Sequence, residues 1–143
     1  MVKREFHLWI VGILSLLWNA GGAVDYVMTK TNVASYLAEQ PAARRALLEQ
    51  APFWFDVTWA LGVWMSVAGA LLLLARSRFA GSAFALSLLG LLGSSVYTYL
   101  IAQGTTMVAA AGPVAIGFTV AIPVILIGLW FYARAMRRQG VLR

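Results

Sequence analysis

The stretch Trp18-Asn19-Ala20-Gly21-Gly22-Ala23-Val24-Asp25-Tyr26 places an amide and a carboxylate near the end of an apolar run, Phe6–Met28, that is long enough to cross a bilayer. A span needs about 20 residues, and hydrocarbon offers a polar side chain no water. These groups must therefore face protein or the membrane interface. Continued as a helix from Phe6, the run brings Gly12, Ser15, Asn19, Gly22 and Tyr26 within about 80° of one another at about 100° per residue. One face is thus small or polar, and it is predicted to meet other helices rather than lipid.

Three more apolar runs follow, Phe53–Ala75, Phe79–Ala102 and Met107–Ala133, and with the first they use most of the 143 residues. The chain is 62 % hydrophobic and 11 % charged, with a mean hydropathy of +0.81. Soluble domains keep about 45–50 % apolar and about 25 % charged residues. Spanning segments must pair their own backbone groups, so each run is predicted to be a helix. The expectation is an all-α membrane protein. It forms a single transmembrane domain over residues 1–143, with four transmembrane helices at about 6–28, 53–75, 79–102 and 107–133. The short turns Arg76-Ser77-Arg78 and Gln103-Gly104-Thr105-Thr106 make the last three helices an antiparallel bundle. An outer connection, residues 29–51, joins the first helix to them.

The net charge of +6 does not point to nucleic acid, because the basic residues sit at span ends instead of forming one patch among aromatics. Lys3, Arg4, Arg76, Arg78, Arg134, Arg137, Arg138 and Arg143 flank one side, and Lys30, Arg44 and Arg45 the other. By the positive-inside rule both termini are cytoplasmic and the 29–51 connection is outside. The absence of cysteine removes disulfides and thiolate metal sites. The basic start, apolar run and Ala20-Gly21-Gly22-Ala23 could be read as a cleaved leader. An apolar stretch reaching Met28 exceeds the about 7–15 residues of a leader core, so the first helix is read as a retained span. His7 lies at its inner mouth beside Trp9 as an interfacial anchor, a proton or haem-ligand role being the alternative.

In the connection, Val33, Tyr36 and Leu37 have helical spacing, and Pro41 can open a second short helix with Leu47 and Leu48 on its apolar side. This segment is read as a surface cap over the bundle, with a lid over a binding cleft as the alternative. The second span aligns Trp59, Gly62, Ser66 and Gly69, and the third aligns Ala83, Ser87, Gly90, Ser94 and Tyr97. Such stripes let helix backbones approach closely. In the fourth span, Pro123 frees the Thr119 carbonyl and should bend the helix.

No metalloprotease, hydrolase, nucleotide-binding or Cys-x-x-Cys motif is present, and one histidine cannot supply a multi-histidine metal site. Neither an enzyme nor a cofactor is expected. The remaining polar signal is Asp25 with Asp56, supported by Asn19, Tyr26, Trp59 and Tyr97. Asp56 falls in the first turn of the second span, where exposed amides and the positive helix end favour a carboxylate. Asp25 falls in the last turn of the first, at the negative end, where an acid is disfavoured by about 0.3–1 kcal/mol. It calls for a partner: Lys30, an arginine of the connection, a tyrosine hydroxyl or a ligand. The two aspartates either sit separately in the wet interface or mark the mouth of a polar cleft lined by the other four residues.

Leu17-Trp18-Asn19-Ala20 with Asp25-Tyr26-Val27-Met28-Thr29-Lys30-Thr31, then Trp59-Ala60-Leu61-Gly62-Val63-Trp64 and Leu71-Leu72-Leu73-Leu74-Ala75-Arg76-Ser77-Arg78, resemble an uncharacterised family of small proteobacterial four-helix inner-membrane proteins, some labelled sugar transporter. The likeness extends to the closing Arg137-Arg138-Gln139-Gly140-Val141-Leu142-Arg143. It implies a bacterial inner membrane and four spans, and it carries no substrate residues over.

Two functions compete. Four helices of 15.5 kDa pack around a core that their own side chains fill, so a sugar-like solute would need an oligomer to pass. The expected function is therefore a structural or accessory subunit packing in the bilayer, within a larger membrane complex. The alternative is an oligomeric small-solute transporter or solute-binding membrane protein.

Overall fold

A computed structural model describes residues 2–143, with the side chains of residues 2–4 and 105 outside the description; the Lys3 and Arg4 of the basic flank fall there. Among the described residues every regular element is helical. The order is α1 (Val2–Lys30), α2 (Ala34–Glu39), α3 (Ala42–Glu49), α4 (Phe53–Leu74), α5 (Ala80–Ser95) continued by a π-helical turn (Val96–Ile101), α6 (Gly104–Ala111) and α7 (Pro113–Arg138). Four segments are long and apolar enough to cross a membrane: Glu5–Lys30, Phe53–Leu74, Ala80–Ile101 and Pro113–Arg138. Their outward residues include Leu17, Leu89 and Phe131, each more than half exposed. That surface suits lipid.

Three span limits differ from the sequence expectation, one of them the end of the fourth span, which runs to Arg138, past Ala133. The first helix runs on to Lys30, past Met28. The fourth apolar run, read as one helix from Met107, is broken at Gly112, whose φ of +92° few side chains tolerate; Pro113 then opens α7. Hydropathy continues through this break and so hides it. What read as a tight turn at 103–106 is the start of α6, with Gln103 left-handed at φ 54°. Pro123 lies inside α7, which continues around it.

Helix ends are closed by backbone geometry. After α1, α4 and α7, the left-handed residues Asn32, Arg76 and Gly140 each bond back into the last turn. The next amides, Val33, Ser77 and Val141, reach the carbonyls of Met28, Leu72 and Met136 at 3.1, 2.8 and 3.0 Å. These are the paired bonds of a Schellman ending, which satisfy carbonyls the helix leaves orphaned.

The tightest seam joins α4 and α5. A Cβ built on Gly90 would stand 2.3 Å from the Gly62 nitrogen and 2.6 Å from the Thr58 carbonyl oxygen. A Cβ on Gly69 would stand 2.7 Å from the Phe84 ring, and one on Gly93 2.6 Å from the Thr58 side chain. The fully buried Ser87 donates from Oγ to the Gly62 carbonyl at 2.6 Å. Backbones this close gain dispersion contacts that lipid cannot match. In α1, Gly12 faces Leu74 of α4, and the buried Ser15 bonds its own helix at the Gly12 carbonyl. Ser66 likewise bonds the Val63 carbonyl of α4.

Two predicted packing residues stand apart. Nothing lies within 4 Å of a Cβ on Gly22, although Asn19 and Tyr26 on either side of it both meet α4. Half-buried Ser94 bonds its own helix at Leu91, and the adjacent Gly93 makes the close approach instead.

The core sits at one end of the molecule. Leu8, Leu73, Phe84, Leu129, Ala133 and Met136 are buried there together with Leu142 of the terminal tail. That tail is tied down by two backbone bonds of 2.8 Å, Arg143 N–H to the Arg76 carbonyl and Arg78 N–H to the Arg143 carbonyl. Arg76 also reaches Glu5 at 3.1 Å. His7 Nδ1 lies 2.6 Å from the Tyr132 hydroxyl, so His7 packs against α7.

Candidate functional site

Five of the six residues singled out from the sequence lie toward the opposite end, where the α2–α3 connection meets α1 at Asp25 and the π-helical turn at Tyr97, while Asn19 lies deeper along α1. Asp25 is held by two groups from the connection. Arg44 Nη2 donates to both carboxylate oxygens, at 2.7 and 3.0 Å, and the Tyr36 hydroxyl donates at 2.5 Å. Arg44 also donates to the Gln40 side chain. The Asp25 and Arg44 side chains are 30 % and 26 % exposed, so water screens them only in part. A charge-assisted contact in such a place is stronger than an open surface pair. Burial, then the hydrogen bond to Asp25 and its negative charge, push the Tyr36 phenol above its ordinary pKa. It stays a donor through the neutral range.

Asp56 is settled differently from the expectation. It occupies the first turn of α4, but that helix carries no side-chain cap bond at its Pro52 N-cap. A carboxylate at the fourth helical position lies past the amides a capping residue reaches. It pairs instead with Lys30 Nζ at 2.8 Å, with both side chains a third or more exposed. Pairs of this kind contribute about 0–1 kcal/mol. No hydrogen bond or ion pair described here joins Asp25 to Asp56.

The other four residues fill space. Asn19 is buried against α4 and donates from Nδ2 to the Ser66 carbonyl at 3.4 Å. Tyr26 meets Trp59 edge-on at 4.8 Å between centroids, and Trp64 at 6.1 Å. Tyr97, 5 % exposed, packs against Phe55 and Trp54 and donates its hydroxyl to the Leu47 carbonyl of α3 at 3.0 Å. The structure thus brings Tyr26 to Trp59 and leaves the six in separate contacts. Two concavities are described, of about 260 and about 350 Å³, and none of the six lines either of them.

The acid at the negative end of α1 calls for a partner, and an arginine of the connection and a tyrosine hydroxyl supply it. That these are Arg44 and Tyr36 is selected only by the fold of α2 and α3. Beside this latch, the Thr29 hydroxyl is buried with no hydrogen-bond partner. Thr29→Val keeps the shape and removes the unmet group, so melting in detergent should show a gain of about 1 kcal/mol.

The molecule is therefore a helical protein with four membrane-length apolar helices, closed at one end by two short helices on a polar latch. Comparison of the chain with family models, curated proteins and solved structures finds no match.

Proposed function

We propose that this chain is a small integral membrane protein that acts by packing in the bilayer as a structural or accessory subunit of a larger membrane complex. The observation that carries this reading is where the polar groups go. Asp25, Asp56, Asn19 and Tyr97, which would have lined a solute path, each bond a group of the same chain. The α2–α3 segment is then a cap, and its latch is structural. Solute transport by an oligomer is the weaker reading, since neither of the two concavities described above joins these residues. No catalytic step belongs to the proposal, on the ground that the sequence lacks catalytic motifs.

The proposal includes an antiparallel bundle with both termini cytoplasmic, in a bacterial inner membrane, as the resemblance described above implies. Contacts pairing Thr58 with Gly93, Gly62 with Gly90 and Gly69 with Phe84 support opposed directions for α4 and α5. The basic residues near the Arg76–Arg78 turn and the C-terminal tail support the orientation. A cysteine at position 77 in this cysteine-free chain should resist a membrane-impermeant maleimide added from outside, and one at position 45 should react. The reverse pattern would overturn the orientation.

Reconstitution tests the function. Proteoliposomes placed in isotonic monosaccharide should swell no faster than protein-free liposomes. Swelling that Asp25→Asn abolishes would overturn the structural reading in favour of transport.

A further inference from the structure

The concavity of about 260 Å³ lies at the end opposite the latch, between the start of α5 and the end of α7. Arg78, Ser82, Arg134 and Arg137 edge it, and Gly81 and Trp130 are among the residues lining it. Two of its cations rest on aromatic rings, Arg134 at 4.8 Å from the Trp130 centroid and Arg78 at 5.1 Å from that of Phe79. Seating of this kind holds a guanidinium in place while leaving its N–H donors free. None of the three arginines has a carboxylate partner among the described residues. The ion pairs described engage Lys30, Arg44 and Arg76 instead. The start of α5 carries no side-chain cap, so its first-turn amides add to the positive field. Phe79 and Phe131 stand exposed beside the rim, at 57 % and 58 %.

A cluster of guanidinium groups with no ion-pair partner among the described residues, over a small hollow, at the end of membrane-length helices and flanked by outward aromatics, has the chemistry of a phosphodiester site at the bilayer surface. The hollow is smaller than the about 300–1,000 Å³ of small-molecule clefts. We infer that Arg78, Arg134 and Arg137 bind the headgroup phosphate of an anionic phospholipid between α5 and α7. The bound lipid would bridge the two helices on the basic side of the membrane. This rests on the membrane placement proposed above.

The test uses delipidated full-length protein in mild detergent, with phosphatidylglycerol and phosphatidylcholine as probes and native mass spectrometry as readout. Phosphatidylglycerol should be retained at least about tenfold more tightly than phosphatidylcholine. Arg134→Gln with Arg137→Gln should weaken its retention about thirtyfold, at an unchanged melting temperature. Arg138→Gln with Arg143→Gln, which removes the same charge outside the hollow, should change it less than about threefold. Gly81→Leu, which fills the hollow and keeps every charge, should also lower it.

Equal losses from the two arginine pairs, or equal retention of the two lipids by the wild type, would overturn the site. So would displacement by millimolar inorganic phosphate, which marks a free-phosphate site. Should the variants fail to fold, the comparison of the two lipids on the wild type still decides. Carbonate extraction of wild-type membranes is run in parallel. Protein that stays in the membrane without lipid selectivity defeats this inference alone, and protein that is released defeats the membrane reading as well.

Discussion

Gly90→Ala should cost about 3 kcal/mol, and Gly90→Leu should leave little folded protein in the membrane. The reason is that the first added atom already collides with backbone. A Cβ at Gly90 stands 2.3 Å from the Gly62 nitrogen and 2.8 Å from its Cα, and neither can rotate out of the way. The α4–α5 seam would have to open, breaking the Ser87 bond to the Gly62 carbonyl and lifting Phe84 from Gly69. Gly22→Ala is the matched control. Nothing lies within 4 Å of the new methyl, and alanine is the better helix former by about 1 kcal/mol, so this variant should be neutral or stabilised. Unfolding in mixed micelles and abundance in membranes read both. Equal behaviour of the two variants would mean that α4 and α5 do not meet through Gly62 and Gly90.

The second large effect belongs to Asp25. Asp25→Asn removes the charge that Arg44 and Tyr36 both answer and one of the two oxygens that accept from them, so it should destabilise the protein by about 2 kcal/mol. Asp56→Asn acts on a more exposed pair and should cost about 1 kcal/mol or less. The pairing can be isolated. Asp25→Asn and Arg44→Gln together should cost clearly less than the sum of the two, because each alone removes the same contact. Exchange of the pair, Asp25→Arg with Arg44→Asp, should recover part of the loss. Additive single effects would separate Arg44 from Asp25 and return the aspartate to the wet interface.

These two sites also show what could be read before the fold was known. The four apolar runs were plain because a bilayer imposes length and composition, and the α4 and α5 stripes were plain because close approach requires small residues at helical spacing. Gly22 satisfied the same spacing yet meets nothing, since angular position on a helix does not say how closely a neighbour approaches at each turn. The break at Gly112 escaped a reading by hydropathy because both sides of it are equally apolar. Leu142, only 4 % exposed, and the backbone bonds of Arg143 lie in a short tail with no periodicity to announce them.

At the candidate site, a carboxylate near the negative end of a helix announced that a donor was needed. Lys30 is the nearest cation in sequence, yet it turns to Asp56, and Arg44, nineteen residues away, takes Asp25. That choice follows from the folding of α2 and α3 back onto the bundle, which is tertiary and leaves no local mark.

Packing beside another polypeptide, the role proposed above, makes the chain part of a stable complex. Native mass spectrometry of complexes extracted in mild detergent from membranes expressing the chain at its natural level tests it most directly. The 15.5 kDa chain should appear in a fixed ratio with a second membrane polypeptide, and that complex should be lost from cells carrying Gly90→Leu. A chain recovered only as a 15.5 kDa monomer, or only as assemblies of itself, would contradict it.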